Sequence, residues 1–141
     1  MGRRAPGPTR SDAGTVREVS PPLFPGVPYA YSAVAPGTVL FTAGACPIDE
    51  AGDVVAPGDH EAQARQALAN LLAALDDAGA SSADLVRTTV YVVGSHDDLV
   101  RTWDVVAAGL APHRPPSTLL GVAVLGYRHQ LVEIDGIAAL P

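Results

Sequence analysis

The sequence predicts an α+β fold in which one mixed β-sheet carries two α-helices on one of its faces. Two amphipathic helical segments alternate with strand-like segments in the order strands, helix, strand, helix, strands. The chain has 141 residues, enough to bury one core without disulfides. Two helices leave the second face of such a sheet uncovered, and 48% of the residues are hydrophobic. We therefore expect self-association through that face.

The first half of the chain predicts a tail, three strands and a loop. Residues 1–14 are rich in arginine, proline and glycine and predict a disordered tail, which leaves a single domain over residues 15–141. Three segments predict strands: 16–20, 29–34 and 38–44. A proline-glycine turn separates the last two. Residues 46–58 predict a loop or a short hairpin because glycine and proline punctuate them.

Capping residues bound both predicted helices. The first helix begins after the N-cap Asp59 and ends near Gly79. Its apolar stripe consists of Leu68, Leu71, Leu72, Leu75 and Ala78. The second helix begins after Ser95, with Asp98 at the capping-box position, and Pro112 ends it. Its apolar stripe consists of Leu99, Trp103, Val106 and Leu110. Strands complete the domain at 85–93, 117–124 and 130–140.

Charge and composition exclude several classes of function. The net charge is −6 although residues 1–14 contribute +2, so no basic stripe remains for binding nucleic acid. No apolar run is long enough to span a membrane, and no apolar segment follows the N-terminal arginines as in a secretory signal. A single cysteine, Cys46, excludes an intrachain disulfide and indicates a cytoplasmic protein. The chain has no lysine, which excludes Schiff-base chemistry through that residue.

Six segments form an ordered set of motifs: PYAYSAV, VLFTAGACPID, EAQARQALANLLAALDDAGAS, DLVRTTVYVV, RPPSTLLGVAVL and LVEIDGIAAL. In this order and spacing they resemble the RidA/YjgF family of imine and enamine deaminases, over residues 16–140. The resemblance implies a chorismate-mutase-like fold, assembled as a homotrimer whose sheets form a central barrel. It places small-molecule substrates in clefts between subunits. The implied activity is hydrolysis of 2-aminoacrylate and related imines without a metal or organic cofactor.

The segment HRPPSTLLGV departs from the family pattern at the substrate-binding cation. The family places a carboxylate-binding arginine just before the hydroxyl residue of its penultimate strand, in a P-x-R-[ST] motif. Here that position falls on Pro116 or Ser117, depending on the alignment, and Thr118 follows. Arg114 lies two or three residues earlier. It either reaches the cleft because the prolines redirect the chain, or is solvent-exposed or part of a salt bridge between subunits. Arg128, in the last turn, either replaces the missing cation or is an exposed turn residue.

Other positions of the expected cleft are less polar than in the family. Ala43 and Ala45 flank Gly44 where the family has S-G-Q, and Gly44 is expected to let the backbone approach a ligand. The family asparagine of the second helix falls on Trp103, which either packs in the core or lines an enlarged apolar cleft. Tyr29 matches the tyrosine of the family PY motif and is either a hydrogen-bonding or a packing residue.

Glu133 and Asp135 are the candidate catalytic residues. They lie at alternate positions of a predicted strand, so both face the same side, about 6–7 Å apart. The family resemblance places a glutamate near the ligand water at the position of Asp135. A carboxylate there would serve as a general acid or base. The alternative is a charged pair at a sheet edge or one matched to Arg87 on a neighbouring strand.

Cysteine and histidine predict neither a nucleophile nor a metal site. Ala45 and Pro47, the neighbours of Cys46, supply no base, which favours a small buried residue over a reactive thiolate. The four histidines, His60, His96, His113 and His129, lack the spacing of metal ligands.

Two functions remain open at this point. The first is a RidA-like enzyme that adds water to an imine, enamine or related labile intermediate, one larger or less anionic than 2-aminoacrylate. The second is a non-catalytic trimer that binds a small metabolite or a protein partner.

Overall fold

A computed structural model describes residues 17–19, 24–35 and 37–140, and the predicted tail lies outside these residues. The described part of the chain contains six strands and two helices. The strands are β1 (Arg17–Val19), β2 (Ser32–Val34), β3 (Thr38–Phe41), β4 (Leu85–Val92), β5 (Ser117–Gly121) and β6 (Val132–Leu140). The helices are α1 (His60–Asp77) and α2 (His96–Leu110), and a 3-10 turn over Ser82–Asp84 leads into β4.

The strands form two sheets where the sequence predicted one. β1 and β2 pair antiparallel as a separate two-stranded sheet. The other sheet has the order β3-β6-β4-β5, in which β4 and β5 run parallel and the remaining neighbours antiparallel. β2 begins three residues later than predicted because the chain before it bonds elsewhere: the Ala30 N–H donates to the Arg114 carbonyl at 2.9 Å. The mixed sheet and the α+β class are confirmed.

Both helices begin at the predicted caps. The Asp59 carboxylate accepts a backbone N–H of the first turn of α1 at 3.0 Å. Ser95 and Asp98 form a complete capping box at the start of α2, in which the Ser95 N–H donates to the Asp98 carboxylate at 2.8 Å. α1 ends with Ala78 as its C-cap, and Gly79 follows at φ +81°, a left-handed conformation that glycine adopts without strain.

The two helices pack on one face of the four-stranded sheet, which we call the helix face. Val132, Ile134 and Ala138 of β6 are buried there. The same core contains Leu68, Leu71 and Leu75 of α1, Val106 and Leu110 of α2, and Val90 and Val92 of β4. Because side chains alternate along a strand, the intervening residues of β6 point the other way.

The opposite face of the sheet, which we call the open face, mixes polar and apolar side chains. It carries Glu133, Asp135 and Ile137 of β6, all half-buried. Phe41 of β3 lies opposite Ile137 and is 74% exposed, and Val39 is 49% exposed. The open face therefore combines ionisable groups with an apolar surface that solvent reaches.

The last two strands are shorter than the sequence predicted. β5 ends at Gly121 because its parallel neighbour β4 ends at Val92, and Val124 beyond it is 79% exposed. β6 begins at Val132, and the N–H of the preceding residue, Leu131, donates to the side chain of Gln63 on α1 at 2.7 Å. A strand needs a paired neighbour, so apolar residues alone did not extend either one.

Two side-chain amides of α1 hold the loops that flank β6. Gln63 is fully buried, and besides its bond to Leu131 its Nε2 donates to the His129 carbonyl at 2.9 Å. Asn70, two turns further along, donates to the Cys46 and Ile48 carbonyls at 2.8 and 2.9 Å. Both loops are therefore bonded to one helix.

Candidate active site

The two candidate carboxylates share the open face, as their spacing predicted. β6 lies between β3 and β4, so Glu133 and Asp135 are on an inner strand and not at a sheet edge. Across β4, Glu133 is opposite Tyr91 and Asp135 is opposite Thr89. Each carboxylate is thus surrounded by the neighbouring strands and has a distinct set of partners.

Glu133 lies in a seat made by two loops. Its Oε1 accepts a hydrogen bond from the Cys46 thiol at 3.0 Å and another from Gln130 Nε2 at 3.2 Å. Cys46 follows an irregular extension of β3, in which Ala45 pairs with Ile134 through two backbone hydrogen bonds of 2.7 and 3.1 Å. That pairing brings the Cys46 side chain beside the residue next to Ile134 on β6.

Gly44 forms the floor of this seat. A Cβ at Gly44 would stand 2.6 Å from Glu133 Oε2 and 2.7 Å from the carboxyl carbon. These distances are too short for real contacts, so any larger residue would displace the carboxylate. The sequence predicted that Gly44 allows a close approach to a ligand; within the chain it allows the close approach of Glu133.

The environment of Cys46 keeps its thiol protonated. Burial, together with the hydrogen bond and the negative charge of Glu133, raises the pKa of Cys46 from 9.0 to about 11. A thiol of this kind is a poor nucleophile at neutral pH and a persistent hydrogen-bond donor. The prediction that Cys46 is not a reactive thiolate agrees with this environment.

Asp135 is bound to the phenol of Tyr91. The Tyr91 hydroxyl donates to Asp135 Oδ2 at 2.9 Å. That bond, with desolvation and the charge of Asp135, raises the pKa of Tyr91 above its ordinary value of 10.0. The pair therefore consists of a neutral phenol and a carboxylate, and it joins β4 to β6 on the open face.

The hydroxyl residues of β5 face opposite sides of the sheet. Ser117 is on the helix face, where its hydroxyl lies 2.5 Å from the buried Thr88 hydroxyl and donates to the Pro115 carbonyl at 3.0 Å. Thr118 is on the open face and accepts from Arg87 at 2.8 Å. Of these two candidate substrate-binding residues, only Thr118 shares the face of the carboxylates. Arg87 is bonded to Thr118 and is not part of any described ion pair with Glu133 or Asp135.

Arg114 and Tyr29 are brought together by the backbone. The Arg114 carbonyl accepts from the N–H of Ala30, the residue after Tyr29. The exposed Arg114 guanidinium donates to the Val27 carbonyl at 3.1 Å, so it ties down the loop ahead of Tyr29. Tyr29 is half-buried and packs edge-to-face on Tyr31, with ring centroids 5.8 Å apart. The exposure of Arg114 agrees with the solvent-exposed alternative, and a role in a cleft between subunits stays a prediction.

Trp103 and Arg128 lie away from the carboxylates within the chain. Trp103 is half-buried on α2 and packs against the core, which puts it on the helix face. This contact agrees with the packing alternative, and a contribution to a cleft between subunits stays a prediction. Arg128 is exposed in the loop between β5 and β6.

A cavity of about 570 Å³ opens beside the loop that contains Gly44 and Cys46. Its walls come from that loop, from α1 and from Tyr127. The apolar lining consists of Ala43, Ala45, Ile48, Leu71 and Ala74. Asp49 and Glu50 add acidic groups to it. The cavity thus adjoins the seat of Glu133 through Gly44 and Cys46, which contribute to both.

The described residues offer neither a cluster of metal-ligating side chains nor a helix that could span a membrane. No three His, Cys, Asp or Glu side chains converge in this part of the chain so as to hold a metal ion. Neither of the two described helices is long and apolar enough to cross a membrane.

Comparison with known proteins places the chain in a family. A family model described as "Endoribonuclease L-PSP" matches residues 23–140. A RutC family protein of Pyrococcus horikoshii is 34% identical over 111 residues, which cover 79% of this chain and 86% of that protein. The chain belongs to the RidA/YjgF family. The resemblance of its motifs is thereby confirmed.

Solved structures and an enzyme extend the RidA/YjgF relationship. The crystal structure of YyfB, a Rid family protein of unknown function from Yersinia pestis, matches with a TM-score of 0.82 at 32% identity, covering 89% of this chain and 99% of that one. A 2-iminobutanoate/2-iminopropanoate deaminase of Salmonella typhimurium is 41% identical over 61 residues, which cover 43% of this chain and 47% of the deaminase. The fold is that of the RidA/YjgF family.

Sequence reasoning missed three residues of this RidA/YjgF site as partners of the carboxylates: Tyr91, Gln130 and Cys46. Tyr91 carried a signal, because its position alternates with the buried residues of β4 and so places it on the face of Asp135. Gln130 and Cys46 carried none, because their contacts with Glu133 depend on where two loops pass the end of β6.

Proposed function

We propose that this RidA/YjgF family member hydrolyses an imine, formed directly or by tautomerisation of an enamine, in clefts between the subunits of a homotrimer. The main support for this proposal is the fixed orientation of Glu133. Two donors hold its Oε1, and its Oε2 lies over Gly44, a residue that also lines the cavity of about 570 Å³. The deaminase of Salmonella typhimurium supports the class of reaction.

Imine hydrolysis makes modest chemical demands on a protein. The water oxygen bonds to the imine carbon while a carboxylate accepts one of the water protons. The carboxyl group passes that proton to the nitrogen, which gives a carbinolamine. The carbinolamine hydroxyl then loses its proton to the carboxylate, the amino group takes that proton up, the C–N bond breaks, and a ketone and ammonia leave. A carboxylate at the right distance and orientation supplies the proton transfers, and binding supplies the proximity. No oxidant or reductant is consumed.

The contacts favour Glu133 over Asp135 for the proton transfers. Asp135 already binds the Tyr91 phenol with its Oδ2. Glu133 Oε2 has no hydrogen-bond partner among the described residues and lies against that loop. We assign Asp135 and Tyr91 to substrate binding on the open face, together with Thr118.

The substrate we propose is larger or less anionic than 2-aminoacrylate. Arg114, the nearest cation in sequence to the family position, is bonded to the Val27 carbonyl. Ala43 and Ala45 line a largely apolar cavity beside Gly44. A small carboxylate would therefore lack a dedicated arginine, whereas an apolar substituent would have room.

The proposed trimer would bury the apolar part of the open face and leave its carboxylates in the clefts between subunits. Phe41 and Val39 expose large apolar side chains there, and burial of such a side chain stabilises an assembly by about 2 kcal/mol. Light scattering of the whole chain should give the mass of three copies, and Phe41→Asp should reduce it. A monomeric wild-type protein would contradict this assembly. A cytoplasmic location remains part of the proposal, and the free thiol of Cys46 supports it.

The name of the family model raises ribonuclease activity as a competing function. The chain carries a net charge of −6, and the candidate site contains two carboxylates. Both features repel a phosphate backbone. If the wild-type protein cleaves a single-stranded RNA and Glu133→Gln does not, the function is that of a ribonuclease and the imine proposal is wrong.

The test measures ammonia release from a panel of imines generated in situ, from 2-aminoacrylate to those with bulky apolar side chains. The wild-type protein should accelerate hydrolysis most for the bulkier members, and Glu133→Gln should lose at least about 100-fold of that rate. Glu61→Gln, at the exposed start of α1, is the matched control for removing a carboxylate. If no member is accelerated, or if Glu133→Gln is as fast as the control, the chain is not this enzyme and a binding function replaces it.

A further inference from the structure

We infer that Cys46 is a positioning residue for Glu133: its thiol, with the Gln130 amide, holds one carboxylate oxygen so that the other faces the reacting water. This inference rests on the proposed function. It assigns a role to a thiol that neither forms nor breaks a bond in the reaction. The Cys46 proton stays on sulfur, and the proton taken from water goes to Glu133 alone.

The orientation of Gln130 is determined by its surroundings. Its Oε1 accepts from the Tyr127 backbone N–H at 3.0 Å, and an N–H can only donate. The amide nitrogen must therefore be the atom that faces the Val132 carbonyl at 3.1 Å and Glu133 Oε1 at 3.2 Å. Gln130 is only 3% exposed, so this amide has no alternative partners in solvent. It is a fixed donor to Glu133.

Cys46 supplies the second donor from a different loop. The thiol lies 3.0 Å from the same Oε1, and its backbone carbonyl is held by Asn70 of α1 at 2.8 Å. A single hydrogen bond leaves a carboxylate free to rotate about the axis of that bond. Two donors from separate loops, with Gly44 beneath the carboxyl group, define a single orientation. Oε2 is then the oxygen available to a substrate water.

The chemistry of the thiol suits this role over a nucleophilic one. Burial and Glu133 raise the pKa of Cys46 to about 11, so the S–H donor persists at physiological pH. Among the described residues, the hydrogen-bond acceptors of the Cys46 thiol are the Gly44 carbonyl and Glu133 Oε1, and neither is a basic side chain. Ionising the thiol would place two negative charges side by side, which opposes thiolate formation.

The kinetic test compares two substitutions of Cys46 in the full chain. Cys46→Ala removes the donor, and kcat should fall about tenfold with little change in KM, since hydrogen bonds to charged groups are of that strength. Cys46→Ser keeps a hydroxyl donor at the same branch point and should restore most of kcat. If Cys46→Ala retains the kcat of the wild type, or if Cys46→Ser falls as far as Cys46→Ala, the inference is overturned.

A second measurement needs no enzymatic activity. The rate at which iodoacetamide alkylates Cys46 near pH 8.5 reports its thiolate fraction, and each unit by which the thiol pKa falls raises that fraction about tenfold. Glu133→Gln removes the charge and should accelerate alkylation severalfold or more, whereas Glu61→Gln should not. Equal rates in these two variants would show that Cys46 and Glu133 are not bonded.

The two measurements separate the possible failures. A wild-type protein that hydrolyses no imine overturns the proposed function and the catalytic role of Cys46 with it, and the alkylation rates still decide whether the contact exists. An active wild type whose kcat is unaffected in Cys46→Ala overturns the positioning role alone. Thermal unfolding of each variant identifies a loss of activity that comes from misfolding.

Discussion

The two faces of the four-stranded sheet are made from alternate residues of the same strands, yet they are built differently. On the helix face, Val132 and Ile134 are fully buried among apolar side chains. On the open face, Glu133 and Asp135 alternate with these residues and accept hydrogen bonds from Cys46, Gln130 and Tyr91. The difference shows that β6 contributes to stability with one set of residues and to the candidate site with the other. Substitutions of neighbours should therefore separate stability from activity.

The largest effect is expected on the helix face, at Ile134. The Ile134 side chain is fully buried, so Ile134→Ala would leave a cavity in the core. It should lower the free energy of unfolding by about 2–5 kcal/mol. Urea denaturation measures the change. Ile134→Val, which removes one methyl group, should cost about 1 kcal/mol. If Ile134→Ala lowers the free energy of unfolding by less than Ile134→Val does, Ile134 does not belong to the buried helix face.

Gly44 tests the open face without removing any charge. Gly44→Ala would place a methyl group against the Glu133 carboxylate, and a displacement of about 1 Å in a catalytic group costs on the order of 100-fold in rate. Stability should change much less than in Ile134→Ala. Gly126→Ala is the matched control, because a Cβ there meets nothing within 4 Å. Equal activities in both variants would argue against the seat of Glu133.

A smaller loss of stability is expected from a substitution at the start of α2. Ser95→Ala removes the cap and should lower the free energy of unfolding by about 1 kcal/mol. Ser95 also holds the pKa of Asp98 below 3.8, through hydrogen bonds from its backbone and side chain. Above that pH the carboxylate is ionised in both states and its contribution is complete. As the pH falls through the depressed native value, the contribution is lost.

Acid denaturation checks this second effect. Asp98→Asn should be less stable than the wild type near neutral pH, and the difference should shrink in acid. A difference that does not depend on pH would mean that the charge of Asp98 plays no part in the cap.

The smallest effect is expected at Tyr91. Tyr91→Phe removes the hydrogen bond to Asp135 and should cost about 0.5 kcal/mol, because solvent reaches this half-buried side chain. Because the native pKa of Tyr91 is raised above 10.0, the bond contributes fully below that pH and is lost as the pH rises through the native value. The gap between wild type and variant in chemical denaturation should therefore close in strong alkali. A gap that persists there would assign the effect to packing.

Local signals in the sequence predicted the helices and the faces of the strands. Asp59, Ser95 and Asp98 determine where α1 and α2 begin because capping depends only on residues a few positions away. The alternation of Glu133 and Asp135 placed both on one face for the same reason. These parts of the fold follow from short-range chemistry.

Non-local pairing explains what the sequence did not predict. The separate β1-β2 sheet and the early end of β5 depend on which strands find neighbours, and apolar composition does not encode that choice. The partner of Asp135 was expected to be Arg87 if any, but the register between β4 and β6 instead brings the Tyr91 hydroxyl to it. The seat of Glu133 brings Cys46 to a carboxylate 87 residues later in the chain, so no single motif predicts it.

The amides of Gln63 and Asn70 give α1 a mechanical role. They stand seven residues apart on one helix, about 10 Å along its axis, and each is bonded to a different loop of the Glu133 seat. A helix of five turns moves as a stiff rod, so thermal displacement of α1 carries the Cys46 loop and the Gln130 loop in the same direction. The distance between the two donors to Glu133, Cys46 and Gln130, therefore changes little when α1 moves.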